Sequence, residues 1–224
     1  RLPCGLQDDT RRRVAADLVH SLCVTCNDKA TPIAMEYVHS LIASYQADMK
    51  ERTVQKDAAV ALTMAVAIKS STESGGVTAV NELVSLSDFL NNHILAELQP
   101  AALNERPLAI AACLKFVATF RNLFGQPQLH GLLPLLAPFL QSSNFVVHTY
   151  AAAAIERILC VRDVDASGRR TPRVSPDVIQ PILQPLLVAL FNRIAEPPEG
   201  FMWLRIPFND SQRFFRHSLH RSEE

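Results

Sequence analysis

The sequence predicts an all-α fold in which paired helices stack one after another as a solenoid. Glycine is scarce, at 7 of 224 residues, while alanine and leucine are abundant, and this balance favours helices. Helical signals come in pairs whose first helices begin near residues 11, 53, 106 and 145. The steps are uneven, but their typical size is about 40–47 residues, the period of a two-helix HEAT or armadillo repeat. We therefore expect a HEAT-repeat α-solenoid of about four helical hairpins.

The first predicted pair covers about 11–49. Polar residues at 9–10 can cap its first helix, in which apolar side chains recur at helical spacing. A turn at 27–30 should end that helix. Thr31 would then cap the second helix, with Pro32 in its first turn, where the missing N–H of proline costs nothing.

The second predicted pair covers about 53–98 and is interrupted at 70–76. Its first helix is apolar almost all round, as expected for a helix that is packed on both sides. Ser85 and Asp88 resemble a capping box at the start of its second helix, which should end before Pro100.

The third predicted pair covers about 106–141, and Pro134 and Pro138 should kink or break its second helix. The fourth covers about 145–195, with a polar cap at 142–144. Long alternating runs of β-branched residues are absent, which argues against a β architecture. A closed helical bundle is the main rival. The solenoid is preferred because each pair resembles the next and no single helix is apolar enough to be a central one.

Composition narrows the classes of function. Lys and Arg number 22, as do Asp and Glu, and a chain without net charge is not typical of a nucleic-acid binder. No apolar run reaches the roughly 18–20 residues of a membrane span, so no membrane insertion is expected. Five cysteines, an odd number, indicate reduced thiols in a cytosolic or nuclear protein. Because the chain begins with Arg1, we expect it to start inside a longer coding sequence.

Two groups of polar residues are candidates for chemical sites. His20, Cys23 and Cys26 include a C-x-x-C pair, but structural zinc usually needs four ligands and no second pair exists. His148 and Glu156 share a helix with no nucleophile at a fixed offset. Thiols near a helix end and polar contacts on a helix surface are the simpler interpretations. We therefore expect no metal, no cofactor and no enzymatic activity.

Two basic clusters are candidates for contact with a partner protein. Positive charge at a helix N-terminus opposes the helix dipole, so the first cluster suggests either a partner or an acidic neighbour within the chain. The second lies in the loop Arg162–Arg173, which is long for a link between paired helices, although a plain flexible loop also fits. The candidate residues are Arg11, Arg12, Arg13, Arg169, Arg170 and Arg173.

Several strings, in order along the chain, resemble the importin-β superfamily of nuclear transport receptors, and within it the group that exports importin-α. They are DTRRRVAADLV at 9–19, NELV at 81–84, NHIL at 92–95, FRN at 120–122 and VVHTYAA at 146–152, followed by Ile155, Glu156 and Arg157. Each string is weak alone, but their order over about 8–195 makes a specific signal.

The resemblance implies a segment from the central HEAT repeats of a much longer, non-catalytic receptor. Such receptors bind Ran-GTP together with importin-α cargo, pass nucleoporins, and shuttle between nucleus and cytoplasm through the nuclear envelope. A generic HEAT-repeat scaffold subunit of a cytosolic complex is the alternative, and a helical enzyme is a third. The ends depart from the family pattern: 1–7 does not match, and 196–224 resembles an irregular, aberrant tail such as a retained intron or a frameshift would encode.

Overall fold

The computed structural model describes residues 11–72, 76–164 and 168–195, and these form eight α-helices, numbered in chain order. The helices are α1 Arg11–Thr25, α2 Asn27–Ala47, α3 Thr53–Ala67, α4 Leu86–Phe89, α5 Pro107–Phe120, α6 Gln126–Leu136, α7 Phe145–Leu159 and α8 Pro176–Ala195. The predicted non-matching end at 1–7 and the predicted tail at 196–224 lie outside the described residues. The chain divides into two compact units, 1–187 and 188–224, and helices α1 to α7 belong wholly to the first.

The first helices of the predicted pairs pack against one another in chain order. Helix α1 contacts α3, α3 contacts α5, and α5 contacts α7. The second helix of the first pair, α2, packs against both α1 and α3, and α6 packs against α7. Each pair therefore contacts the pair that follows it, which is the arrangement of a repeat solenoid and confirms the predicted all-α, HEAT-repeat fold.

The core is most apolar around α5, where ten of 14 residues are buried. The ring of Phe116 lies 5.5 Å from that of Phe89 and 4.6 Å from that of Phe120, distances at which aromatic rings pack favourably. The expectation that no single helix is apolar enough to be central is wrong for α5. Because α3 and α7 both pack against it, α5 is enclosed even though the helices form a solenoid.

Helix α2 begins at Asn27, so the predicted turn at 27–30 is helical and Pro32 lies inside the helix. The cause is a polar contact with a distant residue. The side-chain amide of Asn81 donates to Asn27 Oδ1 at 2.8 Å and to Thr31 Oγ1 at 3.0 Å. Asn81 and Thr31 are only 2% and 1% exposed, so their polar atoms need partners inside the fold. Thr31 therefore serves a buried contact and does not cap a helix.

Two antiparallel β-hairpins interrupt the helices, and the sequence patterns did not predict them. The first pairs β1, Ile68–Thr72, with β2, Gly76–Val80; the second pairs β3, Arg162–Val164, with β4, Arg170–Pro172. These strands are five and three residues long, too short to show as long alternating runs. Gly76 has a φ of +74°, which other residues rarely adopt, and a Cβ at this position would meet the guanidinium of Arg121.

The second helix of the second pair is shorter than predicted and changes its type. Helix α4 continues only as a π-helical turn, Leu90–Ile94. The Nζ of Lys56 on α3 donates to the carbonyl oxygen of His93 at 2.7 Å, so a side chain occupies an acceptor that a longer helix would use. The predicted capping box is also altered, because the Ser85 hydroxyl donates to the carboxylate of Asp88 at 2.6 Å and accepts no backbone N–H of α4.

Two other predicted features of the helix ends are confirmed. Helix α6, which contains Pro134, ends at Leu136 and gives way to a 3-10 helix at Ala137–Gln141, as the two prolines predicted. The side chain of Asn144 accepts a hydrogen bond from the backbone N–H of Val146 at 3.1 Å and so caps α7.

Helix α8 combines a length of 20 residues with an apolar composition. By length and composition alone it could cross a membrane, and it is the only described helix of which this is true. The expectation that no apolar segment reaches the length of a membrane span is therefore wrong for α8. One helix of this kind is weak support for a membrane segment, since helices of soluble proteins pass the same criterion.

Candidate functional site

The arginines at 11–13 occupy the first turn of α1 with exposed side chains. Arg12 forms an ion pair with Asp57 of α3, and its Nη2 also donates to the carbonyl oxygen of Asp57 at 2.9 Å. The hydrogen bond to the Asp57 side chain raises the pKa of Arg12. Arg13 Nε lies 3.9 Å from the carboxylate of Asp17, one turn further along α1. Arg12 thus has the acidic neighbour that the sequence left open as an alternative, and it connects two successive helical pairs.

Arg173 fastens the second hairpin to the turn that follows α5. Its Nη1 donates to the carbonyl oxygens of Asn122 and Phe124, both at 2.8 Å. Its Nε and Nη2 donate to Asp163 Oδ1 at 2.9 Å and 2.7 Å, and these bonds lower the pKa of Asp163. Because the Arg173 side chain is only 19% exposed and satisfies two backbone carbonyls, its role within the chain is structural.

The other arginines of this loop face the solvent. Arg169 precedes β4 and Arg170 lies in it, and both are exposed. They stand on the hairpin after α7, whereas the first cluster stands at the start of α1, so the six candidate residues belong to two different elements. Contact of any of the six arginines, Arg11, Arg12, Arg13, Arg169, Arg170 and Arg173, with a partner protein stays a prediction.

We expect Arg173→Ala to loosen the second hairpin. The change removes hydrogen bonds from a cation to two backbone carbonyls and a carboxylate, and we expect a loss of about 1–3 kcal/mol in the free energy of unfolding. Hydrogen–deuterium exchange should show faster exchange of the amides in β3 and β4 than in the unsubstituted chain. Arg170→Ala, on the same hairpin but exposed, is the control, and equal protection of the hairpin in both variants would contradict this role.

A second polar site, which the sequence patterns did not reveal, lies buried between the first three helical pairs. We call it the Lys56–Glu97 cluster; it comprises Tyr45 of α2, Lys56 of α3, Glu97, and Arg106 at the start of α5. The Tyr45 hydroxyl donates to Glu97 Oε1 at 2.8 Å and accepts from Arg106 Nη1 at 3.1 Å. Arg106 Nη2 lies 3.3 Å from Glu97 Oε2, and Lys56 Nζ lies 5.3 Å from the centre of the Tyr45 ring.

The side chains of the cluster are largely buried, and their burial shifts their pKa values. Lys56 and Glu97 are each 2% exposed. Burial lowers the pKa of Lys56 and raises that of Tyr45, whose hydroxyl also donates to Glu97. Burial likewise raises the pKa of the neighbouring Cys113 thiol to about 12. The cluster holds two cations and one carboxylate: Arg106 pairs with Glu97, while Lys56 donates to the carbonyl oxygen of His93. The Lys56–Glu97 cluster thus joins three helical pairs and depends on Glu97 for its charge balance.

The residues considered as chemical sites have separate contacts. His148 Nδ1 lies 3.2 Å from the carbonyl oxygen of Ser142, while Glu156 accepts a hydrogen bond from Cys160 Sγ at 3.3 Å. Cys23 is buried and Cys26 is exposed, and both are free thiols. Within the described ranges, no three side chains of His, Cys, Asp or Glu come close enough to hold a metal ion.

Comparison with known proteins gives independent evidence of the family to which the chain is similar. A model of the Cse1 family matches residues 4–155. Exportin-2 of Danio rerio is 39% identical over 193 residues, and exportin-2 of Homo sapiens is 38% identical over the same length. Each match covers 86% of this chain and 20% of the relative, so the chain spans about a fifth of the length of these relatives.

The fold is also similar to a solved structure. That structure is the exportin Cse1 in its cargo-free, cytoplasmic state, with a TM-score of 0.66 and 29% sequence identity. The superposition covers 85% of this chain and 18% of the exportin. The sequence match and the structural match thus point to the same relatives that the short strings had indicated.

Proposed function

The chain belongs to the Cse1 family, and on that premise we propose that it is a HEAT-repeat segment of a nuclear export receptor that binds Ran-GTP and carries importin-α from nucleus to cytoplasm. The observation that carries the proposal is the similarity to exportin-2 over 86% of the chain. The stacking of α1, α3, α5 and α7 supports it, because a solenoid can sum small shifts between neighbouring repeats into opening and closing around a partner. A generic HEAT-repeat scaffold would not account for the extent of this similarity.

The proposal includes a place in the cell and a mode of action. A receptor of this kind shuttles between nucleus and cytoplasm, and contact with nucleoporins at the nuclear envelope belongs to the same hypothesis. It acts by binding and not by catalysis. The described contacts of His148 and Glu156, each to a different near neighbour, fit a structural use of these side chains.

An apolar stripe on the first pair fits a segment within a longer array. Val14, Leu18 and Leu22, four residues apart along α1, are 53%, 61% and 50% exposed. Ile33 and Tyr37 on α2 are 68% and 63% exposed. A row of exposed apolar side chains along a helix marks an interaction surface, and in a solenoid such rows would be covered by a neighbouring helical pair.

A chimera tests the proposal. Residues 11–195 would replace the matching segment of Danio rerio exportin-2, and the product would be pulled down with Ran loaded with GTP or GDP, with importin-α present. We expect retention that depends on GTP, as for the unsubstituted exportin measured alongside. If that exportin is retained with Ran-GTP while the folded chimera is retained equally in both nucleotide states or in neither, the proposed function is wrong.

A further inference from the structure

Serine or threonine stands directly before proline at three places in the chain, at 31–32, 171–172 and 175–176. Proline-directed protein kinases transfer phosphate to such residues, and a residue before proline favours an extended backbone. Thr31 is 1% exposed inside α2, and Ser175 is half-buried and accepts the backbone N–H of Asp177 in α8 at 3.3 Å. Thr171 lies in strand β4, and both it and Pro172 are exposed. Of the three hydroxyls, that of Thr171 is therefore the best placed for a kinase.

The hairpin that carries Thr171 is easily opened. Its strands β3 and β4 are three residues long, and a two-stranded ribbon is only marginally stable in water. Pro172 lacks an N–H, so it donates no hydrogen bond to the other strand. Arg173, which fastens the hairpin to the turn after α5, lies beyond the end of β4. Thr171 can therefore leave its partner strand and enter the active site of a kinase while the helices remain folded.

A phosphate on Thr171 would lie close to charged groups of both strands. Asp163 is the residue directly opposite Thr171 in the pairing of β3 with β4, and directly opposed side chains lie on the same face. Arg169 and Arg173 lie two residues to either side of Thr171, the spacing that places side chains on one face of an extended chain. Arg173 already donates to the Asp163 carboxylate through Nε and Nη2. The phosphate would therefore compete with Asp163 for Arg173.

We propose that Thr171 is a phosphorylation site for a proline-directed protein kinase, and that its phosphate binds Arg173 in place of Asp163 and separates β3 from β4. In the transfer, Thr171 Oγ forms a bond to the γ-phosphorus of ATP as the bond from that phosphorus to the β–γ bridging oxygen breaks. ADP leaves, and the hydroxyl proton passes to a carboxylate of the kinase. The phosphate carries a charge of about −1.5 to −2 and binds arginine strongly, so Asp163 then faces a like charge. This site does not depend on the binding of Ran-GTP or importin-α.

Kinase treatment of the whole chain tests the site. The folded chain would be incubated with ATP and, separately, with a cyclin-dependent kinase and a mitogen-activated protein kinase, and mass spectrometry would locate the phosphoryl group. We expect one group, on Thr171. Pro172→Ala should abolish the transfer, whereas Pro176→Ala, the matched control at the next pair, should leave it unchanged. No transfer by either kinase, transfer to Thr31 or Ser175 ahead of Thr171, or undiminished transfer to Pro172→Ala would overturn the proposal.

Hydrogen–deuterium exchange tests the effect of the phosphate on the hairpin. In the phosphorylated chain the amides of β3 should exchange about two- to fivefold faster than in the unmodified chain, because like charges directly opposite each other weaken a strand pair. The amides of α7 should be unchanged. Asp163→Ala removes the carboxylate that the phosphate opposes, so phosphorylation of this variant should not accelerate exchange in β3. No acceleration in the unsubstituted chain, or equal acceleration in both chains, would contradict the displacement of Asp163; either result leaves the Ran experiment unaffected.

Discussion

Replacing Glu97 by alanine is expected to lower the free energy of unfolding of the chain by about 3–5 kcal/mol. Glu97 is the only carboxylate in the Lys56–Glu97 cluster, where it accepts from the Tyr45 hydroxyl at 2.8 Å and pairs with Arg106. Without it, the buried Lys56 and the largely buried Arg106 remain as two cations with no carboxylate in the cluster. Urea unfolding followed by circular dichroism would measure the change.

Two further variants separate this effect from the loss of any glutamate. Glu105→Ala removes an exposed carboxylate close to Arg106 in the sequence and should change stability by less than about 0.5 kcal/mol. Lys56→Met in the Glu97→Ala background removes one uncompensated cation, so the double variant should recover part of the lost stability. A Glu97→Ala variant no less stable than Glu105→Ala would show that the cluster does not hold the three helical pairs together.

Replacing Phe116 by alanine is expected to cost a similar amount, about 3–5 kcal/mol, for a different reason. The Phe116 ring is fully buried between those of Phe89 and Phe120, so truncation leaves a cavity at the centre of α5 that the neighbouring helices cannot fully close. The same urea experiment measures it. Phe145→Ala, at a position 53% exposed, is the matched control and should cost less than about 1 kcal/mol. Comparable losses for the two variants would mean that α5 is not the centre of the core.

The sequence was most informative where the signal is local. The first helices of the second, third and fourth pairs begin at Thr53, Pro107 and Phe145, within one residue of the predicted starts. The asparagine cap at Asn144 acts on neighbouring backbone atoms, so its effect can be inferred without knowledge of the fold. The break after α6 was predicted for the same reason, because Pro134 and Pro138 act on their own helix.

Features that depend on distant contacts could not be predicted in this way. Thr31 is a residue type that caps helices, and a proline follows it. However, Asn81, 50 residues further on, donates a hydrogen bond to Thr31 in a buried polar contact. Likewise, nothing local distinguishes Lys56 or Glu97 from residues on a solvated helix face. Their burial follows from how three helical pairs meet. The hairpins were missed because their strands are short, although Gly76 and Gly168, both with positive φ, were visible turn signals.

The Lys56–Glu97 cluster also bears on how this stretch of the chain would respond to mechanical load. Its side chains come from α2, α3, the turn at Glu97 and the start of α5, and Lys56 also holds the carbonyl of His93. Bending between any two of the first three pairs would stretch a hydrogen bond that a third element shares. These pairs should therefore move as one stiff block. A force applied at α2 should be transmitted to α5 with little change in the packing between the helices.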